Sequence, residues 1–380
     1  MKFFHLSDLH IGLRLMNRDL SEDQRFVFNQ ITDTAKRESP DAVLIAGDIY
    51  DKAVPSAESV ELFDHFISDL HAAVPDAHIC MISGNHDSGP RINCFRSILS
   101  GEKIHMIGLP PGCPDEKIEQ LTLFDEWGPV HFYLLPFVRP SMAAGAVRTE
   151  EDEGSLTYEE TIRRLIERED IRTDERNVIV SHQFYVSSGE NASDIPRADS
   201  EIPIVGNIDA VSSRILQVFD YAALGHIHRP MRAGSDTIRY SGTPMAYSVS
   251  EAGQEKHILC VEMGAKAVQT KEIPLHPLHA VRVIRGTAEE ILSERSEDYV
   301  SVILTDEAES SPEDLMWRIR DAYPRVLEVR RENTRTADYR EGREGSSLPD
   351  PFELCCAFLN DPDEEEKKML ADVIRAVKGS

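Results

Sequence analysis

Lys2-Phe3-Phe4-His5-Leu6-Ser7-Asp8-Leu9-His10 opens the chain with a short apolar run that stops on two hard donors. The same grammar recurs four times. Ala42-Val43-Leu44-Ile45-Ala46 leads into Gly47-Asp48, and the run 78–82 into Gly84-Asn85-His86-Asp87. The run 177–180 leads into Ser181-His182, and the run 221–224 into Gly225-His226-Ile227-His228. Apolar runs this short, bounded by Gly, Ser and Asp, read as buried strands. In α/β sheets the functional groups gather at strand ends. The reading is therefore an α/β fold in which carboxylates, imidazoles and one amide arrive along one sheet edge.

The donor set has a definite chemistry. Hard oxygens mixed with imidazoles, with no thiolate on offer, suit manganese, iron or zinc. Asp8 and His10 are two apart, as are His226 and His228, so an extended backbone predicts that each pair points to one side. Seven donors are too many for one tetrahedral ion and enough for two ions that share a carboxylate. Asp48, alone after its own strand, is the natural bridge. Two metals about 3.5–4 Å apart clamp the attacking and leaving oxygens of a phosphoryl transfer and generate hydroxide at neutral pH. Any one block is weak taken alone: Gly-Asp is common, and an isolated histidine among 14 is ordinarily a surface or core residue. Five blocks in sequence are the informative feature.

In this order the blocks resemble the calcineurin-like metallophosphoesterase pattern D-x-H, G-D-x-x-D, G-N-H-D/E, a further His, and G-H-x-H. Within that superfamily, His5-Leu6-Ser7-Asp8-Leu9-His10-Ile11-Gly12, Gly84-Asn85-His86-Asp87-Ser88, Ser181-His182-Gln183-Phe184 and Leu224-Gly225-His226-Ile227-His228 are similar to the double-strand-break repair nucleases. The resemblance implies a two-sheet αββα sandwich and two divalent metal ions, with manganese expected. It assigns Asp8, His10, Asp48 and His228 to one metal, and Asp48, Asn85, His182 and His226 to the other. His86, in excess of the ligand count, is implied to face the substrate phosphate as an acid or charge stabiliser. Asp51 stands where archaeal and eukaryotic relatives often carry histidine, and is expected to orient a ligand rather than act on the phosphate. Asp87 either fixes the tautomer of His86 or is a turn residue.

The implied function is metal-dependent cleavage of DNA ends or hairpins, as the nuclease subunit of an ATPase complex. The implied partners are DNA, the ATPase subunit and a second copy of the chain. Two rivals share the fold. A phosphodiesterase or phosphatase for small substrates would have no need of the C-terminal third. A non-catalytic scaffold predicts eroded ligands, and none is eroded.

Composition bounds these readings. The 380 residues allow two or three domains, and 41% hydrophobic with 28% charged residues is a soluble globular balance. No apolar run approaches the roughly 18 residues of a membrane span, and the N-terminus is strand-like too soon for a signal peptide. Six cysteines without metal or redox spacing, including the vicinal Cys355-Cys356, point to reduced thiols in the cytoplasm. A net charge of −26 argues against a free-standing tight DNA binder, because phosphate contacts need Lys and Arg. A local basic stripe, bound cations at the active edge or a partner subunit would supply the grip.

Three parts are expected: a nuclease domain at 1–275, an α+β capping, DNA-holding domain at 276–335, and a linker with a helical, partner-binding tail at 336–380. In the first part, 12–18 reads as a loop with Arg14 and Arg18 near the metal edge. Ser21 caps a helix with Val27, Ile31 and Ala35 inward. Ser56 caps another with Val60, Phe63, Ile67 and Leu70 inward, and Thr157 starts a third with Ile162, Leu165 and Ile166 inward. A β-meander occupies 117–123 and 130–137. The polar stretch 187–203 reads as a loop near the substrate path. Ser241-Gly242-Thr243-Pro244 is a turn, and a hairpin at 257–273 closes the domain. Beyond the linker at 274–277, strands around Val281 and Val300 precede a helix from Pro312 and a strand at 326–330. The stretch 333–350 is linker-like. The tail segments 352–359 and 362–377 are amphipathic, with Met369, Leu370, Val373, Ile374 and Val377 on one stripe. By resemblance they dock on the ATPase beside its coiled coil.

Overall fold

Phe3 and Phe4 sit next to each other on the strand Lys2–Leu6, project to opposite faces, and are both fully buried. Such a strand needs a layer on each side. The computed structural model, which describes residues 1–187, 195, 197–201, 209–306, 312–332 and 367–369, has those layers. The first sheet is ordered Val268–Leu275, Lys256–Met263, Lys2–Leu6, Ala42–Ala46, His78–Ile82 and Ile104–Ile107. Its last four strands are parallel, and the hairpin of the first two adds antiparallel to Lys2–Leu6. The second sheet is ordered Met231–Arg232, Ile238–Tyr240, Tyr221–Gly225, Arg176–His182, Gly128–Leu135 and Glu119–Asp125. In it Tyr221–Gly225 runs parallel to Arg176–His182, with Gly225 opposite His182.

Side-chain alternation sorts the core into three layers. Phe3, Leu44, Ile82, Phe132, Val180 and Tyr221 pack between the sheets, with Phe3 edge-on to Phe132 and Tyr221 at 5.5 and 5.6 Å. Phe4, Val43, Ile45 and Met81 face the other way, onto the helices Ser21–Glu38 and Ala57–Ala73. On the far side Tyr133, Ile179 and Ala222 face Pro140–Val147 and Tyr158–Glu167. This is the expected αββα sandwich. Every motif block lies at or just past the end of its strand.

Local details both match and depart from expectation. Ser56 and Thr157 cap their helices, accepting the N–H of Ser59 and Glu160. Ser21 does not cap. It is the first helical residue, and the Asp19 carboxylate accepts its N–H at 2.8 Å. The stretch 12–18 is no plain loop, since Arg14–Leu15 pairs with Arg18–Asp19 as a two-stranded ribbon. Val60 is 46% exposed. Ile67 and Leu70 are buried as expected and Phe63 packs partly buried against the core, while Leu62 and Phe66 complete the inward stripe, Phe66 stacking on Phe28 of the neighbouring helix at 4.5 Å.

Residues 1–331 form one compact unit. Within it, Val281–Gly286, Tyr299–Leu304 and Val326–Arg331 make a three-stranded sheet, all parallel. The helices Ala288–Leu292 and Pro312–Ala322 make the returns, so the part expected as α+β is a βαβαβ arrangement. Ala288–Leu292, closed by a Thr287–Glu290 capping box, is too short to show a periodicity. This part has its own small core around Val300, Val302, Leu315 and Ile319, while Val281 and Tyr299 join the main cluster. Asp23, buried on the first long helix, is the polar tie. Its carboxylate accepts from the His279 backbone at 3.1 Å, His279 Nδ1 at 2.9 Å and the Tyr299 hydroxyl at 2.9 Å. Arg18 adds bonds to the carbonyls of Pro324 and Val326. The linker and the amphipathic segments 352–359 and 362–377 lie outside the described residues, apart from the helical 367–369.

Removing the Asp23 acceptor leaves both His279 donors without it and the Tyr299 hydroxyl with only the Asp19 carbonyl at 3.5 Å. Asp23→Ala should therefore destabilise the protein by about 1–3 kcal/mol in urea unfolding. An unchanged midpoint would mean that the apolar contacts of Val281 and Tyr299 hold the C-terminal sheet without help.

Candidate metal centre

Four of the seven predicted donors stand on backbone that side-chain-bearing residues seldom adopt. The φ angles are +53° at Asp8, +42° at His10, +49° at Asp48 and +102° at His226. Extended alternation is therefore not what brings Asp8 and His10 to one side. The chain turns over the sheet edge directly after each strand, and these left-handed turns set the donors. Backbone bonds hold the turns: Asp8 N–H donates to the Gly47 carbonyl and His10 N–H to that of Asp48, each at 3.0 Å. The Asp8 carboxylate accepts from the His226 N–H at 3.0 Å and from the Ser7 hydroxyl. Glycine permits the close approach of the two sheets. A Cβ at Gly47 (φ +88°) would lie 2.2 Å from His182 Nδ1, and one at Gly225 would lie 1.9 Å from the Ala46 carbonyl oxygen.

The donors converge on two neighbouring points. At the first, His10 Nε2 and His228 Nε2 are 3.0 Å apart, with the Asp8 carboxylate close enough that all three ligand atoms lie within 4.8 Å. At the second, Asn85 Oδ1 is 3.1 Å from His182 Nε2 and 2.8 Å from His226 Nδ1. Asp48 Oδ2 stands between, 3.6 Å from His10 Nε2 and 3.3 Å from His182 Nε2. Asp48, His10 and His86 form a further group of that tightness.

The electrostatics fit cations. Burial raises the Asp8 carboxyl, against the pull of His182 and His228. Burial acts on Asp48 too, yet the charge and hydrogen bond of His182, with His10 and His86, hold it well below the usual carboxylate range. Burial alone would lower His182, but Asp48 and Asp8 raise it to about 9. The two carboxylates thus draw positive charge into a dry site. Divalent ions supply that charge without a proton. Among the described residues, His10 Nδ1 and His226 Nε2, the ring nitrogens opposite those at the two points, are buried without a hydrogen-bond partner. Burial keeps both rings neutral, as metal ligands must be. The donor set fits divalent metal ions.

Around His86 the hydrogen bonds separate the two readings of Asp87 and favour the turn residue. His86 Nδ1 donates to the backbone carbonyl of Asp51 at 2.9 Å, and its own N–H donates to Asp48 Oδ1 at 2.9 Å. The Asp51 carbonyl, not the Asp87 carboxylate, therefore fixes the His86 tautomer. Asp87 accepts the N–H groups of Ile49, Tyr50 and Gly84 and ties the loop after one strand to the loop after the next. Burial and the nearby Asp48 push its pKa up to about 6. The Asp51 carboxylate lies 4.0 Å from His10 Nδ1, beside a candidate ligand rather than bonded to it.

Several residues that complete the site carry no sequence motif. Gln24, buried on the first long helix, donates to the His10 carbonyl at 2.8 Å and to the Tyr247 hydroxyl at 3.2 Å. Ser200 and Glu201, from the polar stretch 187–203, bond the ring and the backbone N–H of His228. That agrees with a loop at the site. Arg197 lies over the Phe184 ring, 3.8 Å from its centroid, and Phe184 backs His226. A cleft of about 460 Å³ opens beside Asp51, Ser200 and Tyr247, and Arg14, Lys52 and Arg330 contribute to its lining.

A family model described as calcineurin-like phosphoesterase matches residues 1–230. A second, described as the type 5 capsule protein repressor C-terminal domain, matches residues 277–361. Over 337 residues the chain is 29% identical to the SbcD subunit of the SbcCD nuclease of Staphylococcus epidermidis, across 86% of this chain and 84% of that one. Among solved structures it is similar to TT1561 of Thermus thermophilus, at 11% identity and a TM-score of 0.40, over 71% of this chain and 98% of that one. It is also similar to a dimetal phosphatase from Danio rerio, at 15% identity and a TM-score of 0.42, over 73% of this chain and 98% of that one.

If Asp48 Oδ2 serves both points, its loss disturbs both. Asp48→Ala, dialysed against manganese, should retain at most one tightly held ion by elemental analysis, where the unaltered chain retains two. Two ions in the variant would exclude a bridging role.

Proposed function

Because the chain belongs to the calcineurin-like phosphoesterase family, we propose that it is the metal-dependent nuclease subunit of an SbcCD-type complex, cleaving phosphodiester bonds in DNA ends or hairpins. The observation that carries this reading is the position of Asp48 Oδ2 between two imidazole-bearing points. Asp8, His10, Asp48 and His228 would hold one divalent ion, and Asp48, Asn85, His182 and His226 the other, with manganese the expected metal. Bound there, the ions make hydroxide available at neutral pH and neutralise charge that develops on phosphate oxygens.

The chain's own residues do the rest. With Nδ1–H committed to the Asp51 carbonyl, His86 has Nε2 free to hold or pass a proton at a phosphate or leaving oxygen. The strand ends keep the ligands in place. Arg14, Lys52 and Arg330 line the adjoining cleft together with Asp51 and Asp199, and Arg330 is paired to Glu328, so most of the positive charge for a polyanion would come from the ions or a partner. Arg330 comes from the C-terminal sheet, which supports a DNA-holding role for that part, with domain limits near 275 and 335. The cysteines described, Cys80, Cys94, Cys113 and Cys260, are all free, in keeping with a reducing compartment such as the cytoplasm. Among the described residues no helix is long and apolar enough to cross a membrane.

Two associations complete the proposal. One is a homodimer through the two long N-terminal helices, where Phe26 and Val60 are exposed; sedimentation of the purified chain tests it. The other is with an SbcC-type ATPase through the tail at 336–380.

Manganese-dependent cutting of linear and hairpin DNA, with little activity on cyclic nucleotides, is the expected profile; the reverse preference would favour a small-substrate phosphodiesterase. His86→Ala should keep both ions while its rate falls by roughly 10²–10⁴-fold. Loss of an ion together with activity would make His86 a ligand. A chain ending at Glu344 should cut simple substrates but lose most of its affinity for the ATPase and its ATP-linked cleavage. Undiminished ATPase binding would rule the tail out.

A further inference from the structure

His228 differs from the other imidazoles of the centre in what holds its outer nitrogen. His182 Nδ1 donates to the Ala46 carbonyl at 2.7 Å, and His86 Nδ1 to the Asp51 carbonyl at 2.9 Å. A carbonyl only accepts, so both rings are set by backbone atoms that no substitution removes. His228 Nδ1 instead lies 2.7 Å from the hydroxyl of Ser200. The same hydroxyl is 2.9 Å from Glu251 Oε1. Glu251 is wholly buried, and its other oxygen is held by Lys256 Nζ at 2.7 Å and the Thr243 hydroxyl at 3.0 Å.

The proton positions follow from these partners. A carboxylate paired to an ammonium only accepts, so the Ser200 proton goes to Glu251 and a hydroxyl lone pair turns to His228. His228 Nδ1 must then carry a proton. Its Nε2, facing His10 Nε2 at 3.0 Å, becomes the free donor atom. Glu251 cannot do this alone, because its Oε1 is 3.8 Å from Nδ1, beyond hydrogen-bond reach. Glu201, the next residue, takes the His228 backbone N–H at 3.0 Å, and Lys256 holds the His228 carbonyl at 3.0 Å.

We propose that Ser200 is a positioning residue, a hydroxyl relay from Glu251 that fixes the tautomer and orientation of His228 and so sets the affinity of one ion, the one shared with Asp8 and His10. The inference rests on the two-ion reading of the centre. It also gives the loop after His182 a definite task, because the segment that follows a ligand of one ion holds a ligand of the other.

Calorimetric titration of the full chain with manganese tests it. The unaltered chain should bind two ions. Ser200→Ala should weaken one of them by roughly 10–100-fold and leave the other unchanged. The second ion is the internal control, since a merely structural loop contact would lower the melting temperature of the metal-free protein without separating the two ions. Ser200→Thr keeps the hydroxyl and should restore the affinity. The relay is wrong if Ser200→Ala binds both ions normally, if both ions weaken together with a lower melting temperature, or if Ser200→Thr repairs nothing. An unaltered chain that binds fewer than two ions would remove the premise itself, and the proposal with it.

Discussion

Everything at the centre turns on the carboxylate of Asp48. One oxygen stands between His10 and His182, and the other accepts the N–H of His86. The group is almost completely buried, and so is Asp8 nearby. Leaving water costs such an ion several kcal/mol, on the order of what a buried pair recovers only when its partners are well placed. Two carboxylates in one dry site therefore demand positive charge. The raised His182 is one response to that demand, and a pair of divalent ions is the other.

The geometry of the demand is set by two sheets packed face to face. Each donor rides on the end of a strand buried on both faces, so its position is as rigid as the core. Glycine at 47 and 225 lets the second sheet come within contact of the first. Left-handed backbone at Asp8, His10, Asp48 and His226 then directs the side chains. Such strain persists only where surroundings over-determine it. Here they do, through backbone bonds between the loops, the Asp87 carboxylate with three N–H groups, and Gln24 beneath His10.

In a chain that is acidic as a whole, the proposed hold on DNA would need positive charge concentrated at one place. Divalent ions at the candidate centre would supply most of it, since Arg14, Lys52 and Arg330 at the cleft stand among Asp51, Asp199 and the Glu328 paired to Arg330. Arg330, whose Nε is paired to Glu328 at 2.6 Å, reaches the cleft from the C-terminal sheet. That sheet is held by the apolar contacts of Val281 and Tyr299, by Arg18 and by Asp23, a buried carboxylate far along the chain from its partners.

How much of this was legible in the sequence follows the range of the interactions. Apolar runs ending on donors revealed the strands and the residues that gather at their ends, because a buried strand and its terminal turn are written in consecutive positions; the two-sheet sandwich came from the family resemblance of the motif blocks. Helix caps at Ser56 and Thr157 were legible for the same reason. The sequence could not show that the turns are left-handed, that Val60 faces water, or that the three C-terminal strands are all parallel. Nor could it single out Gln24, Ser200, Glu251 and Lys256. Ser200 lies in an irregular segment and Glu251 in a single 3-10 turn, with no period and no motif, and their meaning depends on a hydroxyl and a carboxylate arriving at one ring from distant parts of the chain. Local pattern determined which residues this protein brings to its centre. Tertiary structure alone decided what orients them, because hydrogen bonds between remote segments exist only once the two sheets have closed.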